Sequence, residues 1–147
     1  MRVLMVCLGN ICRSPLAEGL LRKKIEDKGL DWEVDSAGTS AYHEGDAPDK
    51  RSIAVARKYN IDISTQQSRP LTKSDLDAFD RIYVMDSENY NNVLDLCEGE
   101  EQRAKVKMIM NEVKPGYNMA VPDPYWDNDG FEQVYQMLDA ATDRIVG

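Results

Sequence analysis

Apolar residues in this chain fall in two patterns: short unbroken runs, and longer stretches where they recur every three or four positions. Arg2–Cys7 (Arg-Val-Leu-Met-Val-Cys) is a continuous run with β-branched members, the pattern of a strand buried on both faces. Gly9 breaks it, and Pro15 suits the first turn of a helix, where a missing N–H costs nothing. Leu16, Leu20 and Ile25 with Ala17 and Leu21 form an apolar stripe at helical spacing, stopped by Gly29. Trp32–Ala37 predicts a second strand ending at Gly38. Tyr42–Pro48 is a loop, Asp49–Tyr59 a helix, and Ile61–Leu71 irregular. Thr72 with Asp75 has capping-box spacing for a short helix through Phe79. Arg81–Met85 predicts a third strand, followed by a helix from Asp86-Ser87 to about Leu96. Lys105–Ile109 is the fourth strand. Lys114–Asp129 carries Pro115, Gly116, Pro122 and Pro124 and is a long loop. Gly130–Val146 is an amphipathic helix with Phe131, Val134, Tyr135, Leu138 and Ile145 on or near one face.

Strands alternating with helices imply an α/β fold, a parallel sheet covered on both faces. Ligands bind such folds at the carboxyl ends of the strands. Cys7–Arg13, Ser36–Glu44 and Asp86–Asn89 fall there. No repeat or linker interrupts the chain, so residues 1–147 are expected to form one domain.

Composition narrows the chemistry. A formal charge of -8 disfavours nucleic acid or an anionic membrane as partner. No apolar run approaches the ~20 residues of a spanning helix, and Met1–Cys7 is too brief for a signal segment. Three cysteines, two of them in one short loop, do not make a disulfide framework and suit a reducing cytoplasm. The single histidine, His43, excludes zinc sites and phosphatase mechanisms that need two.

The turn Cys7-Leu8-Gly9-Asn10-Ile11-Cys12-Arg13-Ser14-Pro15 has the makings of an anion cradle with a nucleophile at its floor. A helix N-terminus directs free N–H groups and positive dipole into it. Gly9 and Asn10 are residue types that tolerate positive φ, which lets successive N–H groups point inward. Arg13 offers a bidentate fork to two phosphate oxygens. These features favour a thiolate at Cys7, and the Ser14 hydroxyl can donate a hydrogen bond to it. The Lys-Ser/Thr of a nucleotide-type loop is absent.

Cys-Leu-Gly-Asn-Ile-Cys-Arg-Ser-Pro resembles the signature loop of low-molecular-weight protein tyrosine phosphatases. Asp35-Ser36-Ala37-Gly38-Thr39-Ser40, Pro48-Asp49 with Arg51, Met85-Asp86 and Asp123-Pro124-Tyr125-Trp126 resemble further family landmarks, in the family's order. The resemblance implies a three-layer sandwich with a four-stranded parallel sheet flanked by helices on both faces. It implies hydrolysis of protein phosphotyrosine and small aryl phosphates through a phosphocysteine on Cys7. Leu8, Gly9, Asn10, Ile11, Cys12 and Arg13 would hold the phosphate, supported by Ser14 and Ser36. Asp123, which alone is equally a turn-forming Asp-Pro, becomes the general acid and then the base. Tyr42, Tyr125 and Trp126, which alone are equally loop anchors, become walls of a slot for a phenyl ring. Such a slot excludes phosphoserine, whose stem is too short to reach Cys7. No metal or cofactor is implied. The partners are tyrosine-phosphorylated proteins or peptides, and the enzyme is a monomer or weak dimer.

One departure stands out. Many members carry a supporting histidine near the end of the helix before Ile61, paired with the counterpart of Glu18. Tyr59-Asn60 stands there instead, so that support is missing or replaced. His43 is expected to be an exposed loop residue. The resemblance favours Cys12 as a redox partner that shields Cys7 through a reversible disulfide. Two alternatives share the scaffold: a phosphoarginine phosphatase and a thiol-dependent arsenate reductase. Ile11 and the paired aromatics resemble the tyrosine-specific choice. A reductase needs two further cysteines outside the loop, where only Cys97 lies.

Overall fold

Val3, Leu4, Met5 and Val6 are all fully buried, as a strand covered on both faces must be. In the computed structural model, which describes residues Met1–Gly147, they form the centre of β1 (Arg2–Cys7). β2 (Glu33–Gly38), β3 (Arg81–Val84) and β4 (Val106–Met108) complete a four-stranded parallel sheet of order β2-β1-β3-β4. The helices are α1 (Arg13–Lys28), α2 (Lys50–Lys58), α3 (Asp75–Ala78), α4 (Ser87–Leu96), α5 (Glu100–Ala104) and α6 (Gly130–Val146).

Alternation along β1 sends its side chains to two separate cores. Val3, Met5 and Cys7 pack with Leu16, Leu20 and Leu21 of α1 and with Val134 and Leu138 of α6. Leu4 and Val6 face Leu76 and Phe79, beside α3, and Val93 of α4. The expected three-layer α/β sandwich is therefore the observed architecture. The chain leaves β1 toward β2 on one side and later returns to β3 on the other. The carboxyl end of β1 thus opens at the switch point, where such sheets bind ligands.

Local signals explain most boundaries. Gly29 ends α1 in the left-handed region at φ 63°, and its N–H reaches back to the Glu26 carbonyl. Asp49 caps α2 by accepting from the Arg51 N–H at 2.9 Å. Only half of the capping box at Thr72 forms. Asp75 accepts from the Thr72 N–H at 2.8 Å, but the Thr72 hydroxyl pairs with Ser74, and the helix shrinks to Asp75–Ala78.

Other elements differ from the sequence reading. β3 stops at Val84 because the next N–H, that of Met85, bonds to the Asn89 side chain and its carbonyl accepts from the Val121 N–H. β4 is shorter than Lys105–Ile109, since Ile109 opens a 3-10 turn to Glu112. The helix α5 was not anticipated, and it buries no residue, so no apolar period marks it. No helix is long and apolar enough to cross a membrane.

β1 and β2 run in register to Cys7 and Gly38, and the pairing continues as Thr39 and Ser40 donate to the Cys7 and Leu8 carbonyls. This close approach leaves no room at Gly38. A Cβ there would lie 2.8 Å from the Leu8 oxygen and 3.0 Å from the Ser40 oxygen. Both are backbone atoms that cannot swing aside. Gly38→Ala should therefore destabilise the fold by about 1–3 kcal/mol in urea unfolding. An unchanged midpoint would contradict this packing.

Candidate active site

The strand β1 delivers Cys7 to the floor of a turn from which α1 starts, so the first N–H groups of α1 face the same space as the thiol. Asn10 holds the turn. It is the residue in the left-handed region, at φ 55°, whereas Gly9 is not. The close approach of His43 explains the glycine instead: a Cβ at Gly9 would lie 3.1 Å from the His43 ring.

Behind the turn runs a chain of buried polar groups. The Asn10 side-chain oxygen accepts from the Arg69 N–H at 3.0 Å, and its NH2 donates to Ser14 at 2.7 Å and Ser36 at 3.0 Å. Ser36 in turn donates to Glu18 at 2.6 Å. Arg22 donates to the other Glu18 oxygen at 2.8 Å and to the Val34 carbonyl at 3.0 Å. The direction of every bond follows from the ends. Glu18, paired with a guanidinium, accepts; Ser36 spends its proton on it; Asn10 spends both of its donors on the two serines. The Ser14 proton is then left for Cys7 Sγ, 3.1 Å away. Ser14 thus donates to sulfur, which stabilises a thiolate.

The support expected to be missing or replaced near Tyr59 is replaced by Arg22, which holds Glu18. Tyr59 itself turns elsewhere: its hydroxyl donates to Glu132 at 2.6 Å and its ring stacks on Tyr135 at 4.1 Å.

Arg13 is buried, with Nη1 donating to Asp86 at 2.7 Å and to the Val121 carbonyl at 3.0 Å. Burial works against its charge, but Cys7, Asp86 and Asp123 outweigh that and raise its pKa, so it stays a guanidinium. Asp86 also caps α4 by accepting from the Asn89 N–H. Cys12 is the opposite case. Burial first, then Asp49, Cys7 and Asp123, push its thiol up to about 12. It remains protonated at neutral pH.

Asp123 starts a 3-10 turn (Pro124–Trp126) and accepts from the Tyr125 N–H at 3.1 Å. Its other oxygen lies 3.8 Å from Arg13 Nη2. The Asp123 segment and the Cys7–Arg13 turn therefore meet across one cavity of about 460 Å³. Cys7, Leu8, Gly9, Ile11, Cys12 and Arg13 line its base, with Ser40 and Asp123 beside them. Tyr42, His43, Tyr125 and Trp126 form the sides. Tyr42 and Trp126 are each 86% exposed, which suits surfaces awaiting a flat ring.

Ten of the thirteen residues singled out from sequence line this cavity, and Asn10, Ser14 and Ser36 stand behind it. His43 departs from expectation. It is not an exposed loop residue: its ring packs edge-on against Tyr42 at 4.8 Å, bonds to Asp46 at 3.1 Å and lines the cavity. The Arg13 partner Asp86 lies 73 residues away and no spacing points to it, whereas the Glu18 partner Arg22 sits at i,i+4 on α1, a spacing that could have revealed the pair. No three His, Cys, Asp or Glu side chains converge to hold a metal.

Residues 2–146 match the sequence profile of the low molecular weight phosphotyrosine protein phosphatase family. The low molecular weight phosphotyrosine protein phosphatase of Homo sapiens is 40% identical over 91% of this chain and 86% of its own length. Among solved structures, the protein tyrosine phosphatase of Entamoeba histolytica with Hepes in its active site superposes with a TM-score of 0.92. It is 38% identical and covers 99% of this chain and 94% of its own. A drosophila arginine phosphatase also superposes at 0.92, with 26% identity and coverage of 99% and 96%.

The contrast between the two loop thiols is testable. At pH 7, iodoacetamide should label Cys7, which has the Ser14 hydroxyl beside its sulfur, and spare Cys12, whose thiol stays protonated. Peptide mapping that finds Cys12 labelled as fast as Cys7 would contradict this picture.

Proposed function

The chain belongs to the low molecular weight phosphotyrosine protein phosphatase family and is a hydrolase, and on that footing we propose how its site breaks a phosphotyrosine monoester. The phosphate enters the turn between Cys7 and Arg13, with the loop N–H groups and the guanidinium neutralising its charge. The Cys7 thiolate attacks phosphorus in line, and the phosphorus–oxygen bond to the phenol breaks. The departing oxygen takes its electron pair and a proton from Asp123 in its acid form. The resulting phosphocysteine is attacked by water, whose proton passes to the Asp123 carboxylate. Inorganic phosphate leaves, and the Ser14 hydroxyl supports the regenerated thiolate. Arg13 stabilises the equatorial oxygens through both transition states.

The observation that carries this reading is the meeting of Cys7, Arg13 and Asp123 at one cavity, Arg13 Nη2 lying 3.8 Å from Asp123. The substrate assignment rests on the aromatic sides and on Ile11. A phenyl ring fits between Tyr42 and Tyr125–Trp126 with its phosphate reaching Cys7, while a shorter phosphoserine leaves the phosphate stranded. The likeness to an arginine phosphatase is close in shape and lower in identity, so shape does not choose between the phosphate ester and a phosphoarginine P–N bond. A disulfide-shuttling reductase is less well supported. Cys97 bonds to the Val93 carbonyl in the core on the opposite sheet face from Cys7.

The natural substrates are tyrosine-phosphorylated proteins, and a reducing cytoplasm keeps the Cys7 thiol available. Under oxidation, Cys12 is the neighbour with which Cys7 would form a protective disulfide.

Cys7→Ser should lower turnover of aryl phosphates by at least about a thousandfold with the fold intact. Retained turnover would remove the nucleophile assignment. Asp123→Ala should slow phenyl phosphate by roughly a hundredfold, and esters of more acidic phenols far less. A phosphoarginine peptide turned over faster than a phosphotyrosine peptide would overturn the substrate assignment.

A further inference from the structure

Residues 122–129 carry Asp123, two prolines and the two slot aromatics; Pro124 is buried and Tyr125 packs on the core, yet few hydrogen bonds hold the segment to the rest of the protein. Their other hydrogen bonds are local: Tyr125 N–H to Asp123, Asp127 N–H to Pro124, Asp129 N–H to Asp127. Hydrogen bonds from a distant part of the chain come from one side chain, Arg51. Its Nη2 donates to the Tyr125 carbonyl at 3.0 Å and its Nη1 to the Asn128 side chain at 2.6 Å. The guanidinium also lies over the rings of Phe131, at 4.6 Å, and Tyr125, at 5.6 Å.

The other end of this contact is equally defined. Asp49 grips Arg51 through both oxygens, accepting from Nε at 3.0 Å and Nη2 at 2.9 Å. The Asp49 N–H donates to the Ile11 carbonyl of the phosphate loop at 2.8 Å. A continuous strap thus runs from the phosphate loop through Asp49 and Arg51 to the acid segment.

We infer that Arg51 is a positioning residue for Asp123, tying the acid segment to the phosphate loop at the separation that proton transfer needs. The inference rests on the reading of Asp123 as general acid. Proton delivery to a leaving oxygen tolerates little displacement, so freeing this segment should cost rate where the leaving group needs a proton and little elsewhere.

The test compares kcat/KM for phenyl phosphate and 4-nitrophenyl phosphate in the full-length protein, Arg51→Met, Arg51→Lys, Asp123→Ala and the double variant Arg51→Met/Asp123→Ala. Inhibition by inorganic phosphate reports the cradle in each. Arg51→Met should lose about 10- to 100-fold on phenyl phosphate and about threefold or less on 4-nitrophenyl phosphate. Phosphate inhibition should change by less than about twofold, and in the Asp123→Ala background the Arg51 change should have no further effect on phenyl phosphate. Arg51→Lys, which keeps a charge without the fork, should show a smaller loss of the same selectivity and decides the matter if Arg51→Met does not fold. Equal losses on both esters, weakened phosphate inhibition, or an undiminished effect without Asp123 would each overturn the inference. If Asp123→Ala is selective for phenyl phosphate and the Arg51 variants are not, the strap fails and the acid assignment stands. If Asp123→Ala is itself unselective, both fail.

Discussion

The site depends on Asn10. Its backbone takes a left-handed conformation that turns the loop N–H groups inward, and its side chain makes that conformation the favoured one by filling all three of its hydrogen bonds. One bond ties the loop to the chain at Arg69, and the other two tie it to Ser14 and Ser36. Asn10, Ser14 and Ser36 are buried, so losing either serine bond would leave a polar group without a partner. The shape of the anion cradle and the direction of the Ser14 proton toward Cys7 are therefore consequences of one asparagine. That direction is set from the far end, by a buried carboxylate at Glu18 held by Arg22.

Charge is arranged with the same economy. The protein is acidic overall, with a formal charge of -8, yet its catalytic centre must hold a phosphate dianion. The buried Arg13 and the N-terminus of α1 provide the positive field locally, and Asp86 keeps the guanidinium fixed rather than cancelling its purpose. One nitrogen of Arg13 is committed to Asp86 and the Val121 carbonyl. Its Nη2 approaches Asp123 at 3.8 Å, beyond a good hydrogen bond. The two loop thiols divide along similar lines. Cys7 receives a donor from Ser14, while Cys12 is surrounded by burial and negative charge and stays a thiol.

Much of this was legible in the residues. Continuous apolar runs marked β1 and β3, because strands buried on both faces have no polar side to show. The stripes of α1 and α6 marked the helices of one layer, and every stripe residue is buried. The strand–turn–helix around Cys7 announced an anion cradle through residue types alone, since an interrupted strand followed by a proline-started helix leaves free N–H groups at the junction. What stayed hidden was short or without period: α5 has no buried face, and the end of β3 depends on an asparagine side chain and a loop more than thirty residues away.

Sequence by itself determined the α/β architecture and singled out the Cys7–Arg13 turn and the Asp-Pro loop that line one cavity, because these depend on local periodicity and on residue chemistry at adjacent positions. Tertiary structure decided the pairings. Arg13 with Asp86, His43 against Gly9 and Arg51 across to the Tyr125 carbonyl join residues whose separation along the chain carries no signal. Each is a contact between groups carried by different parts of the chain, and only packing the layers onto one sheet brings such groups within reach.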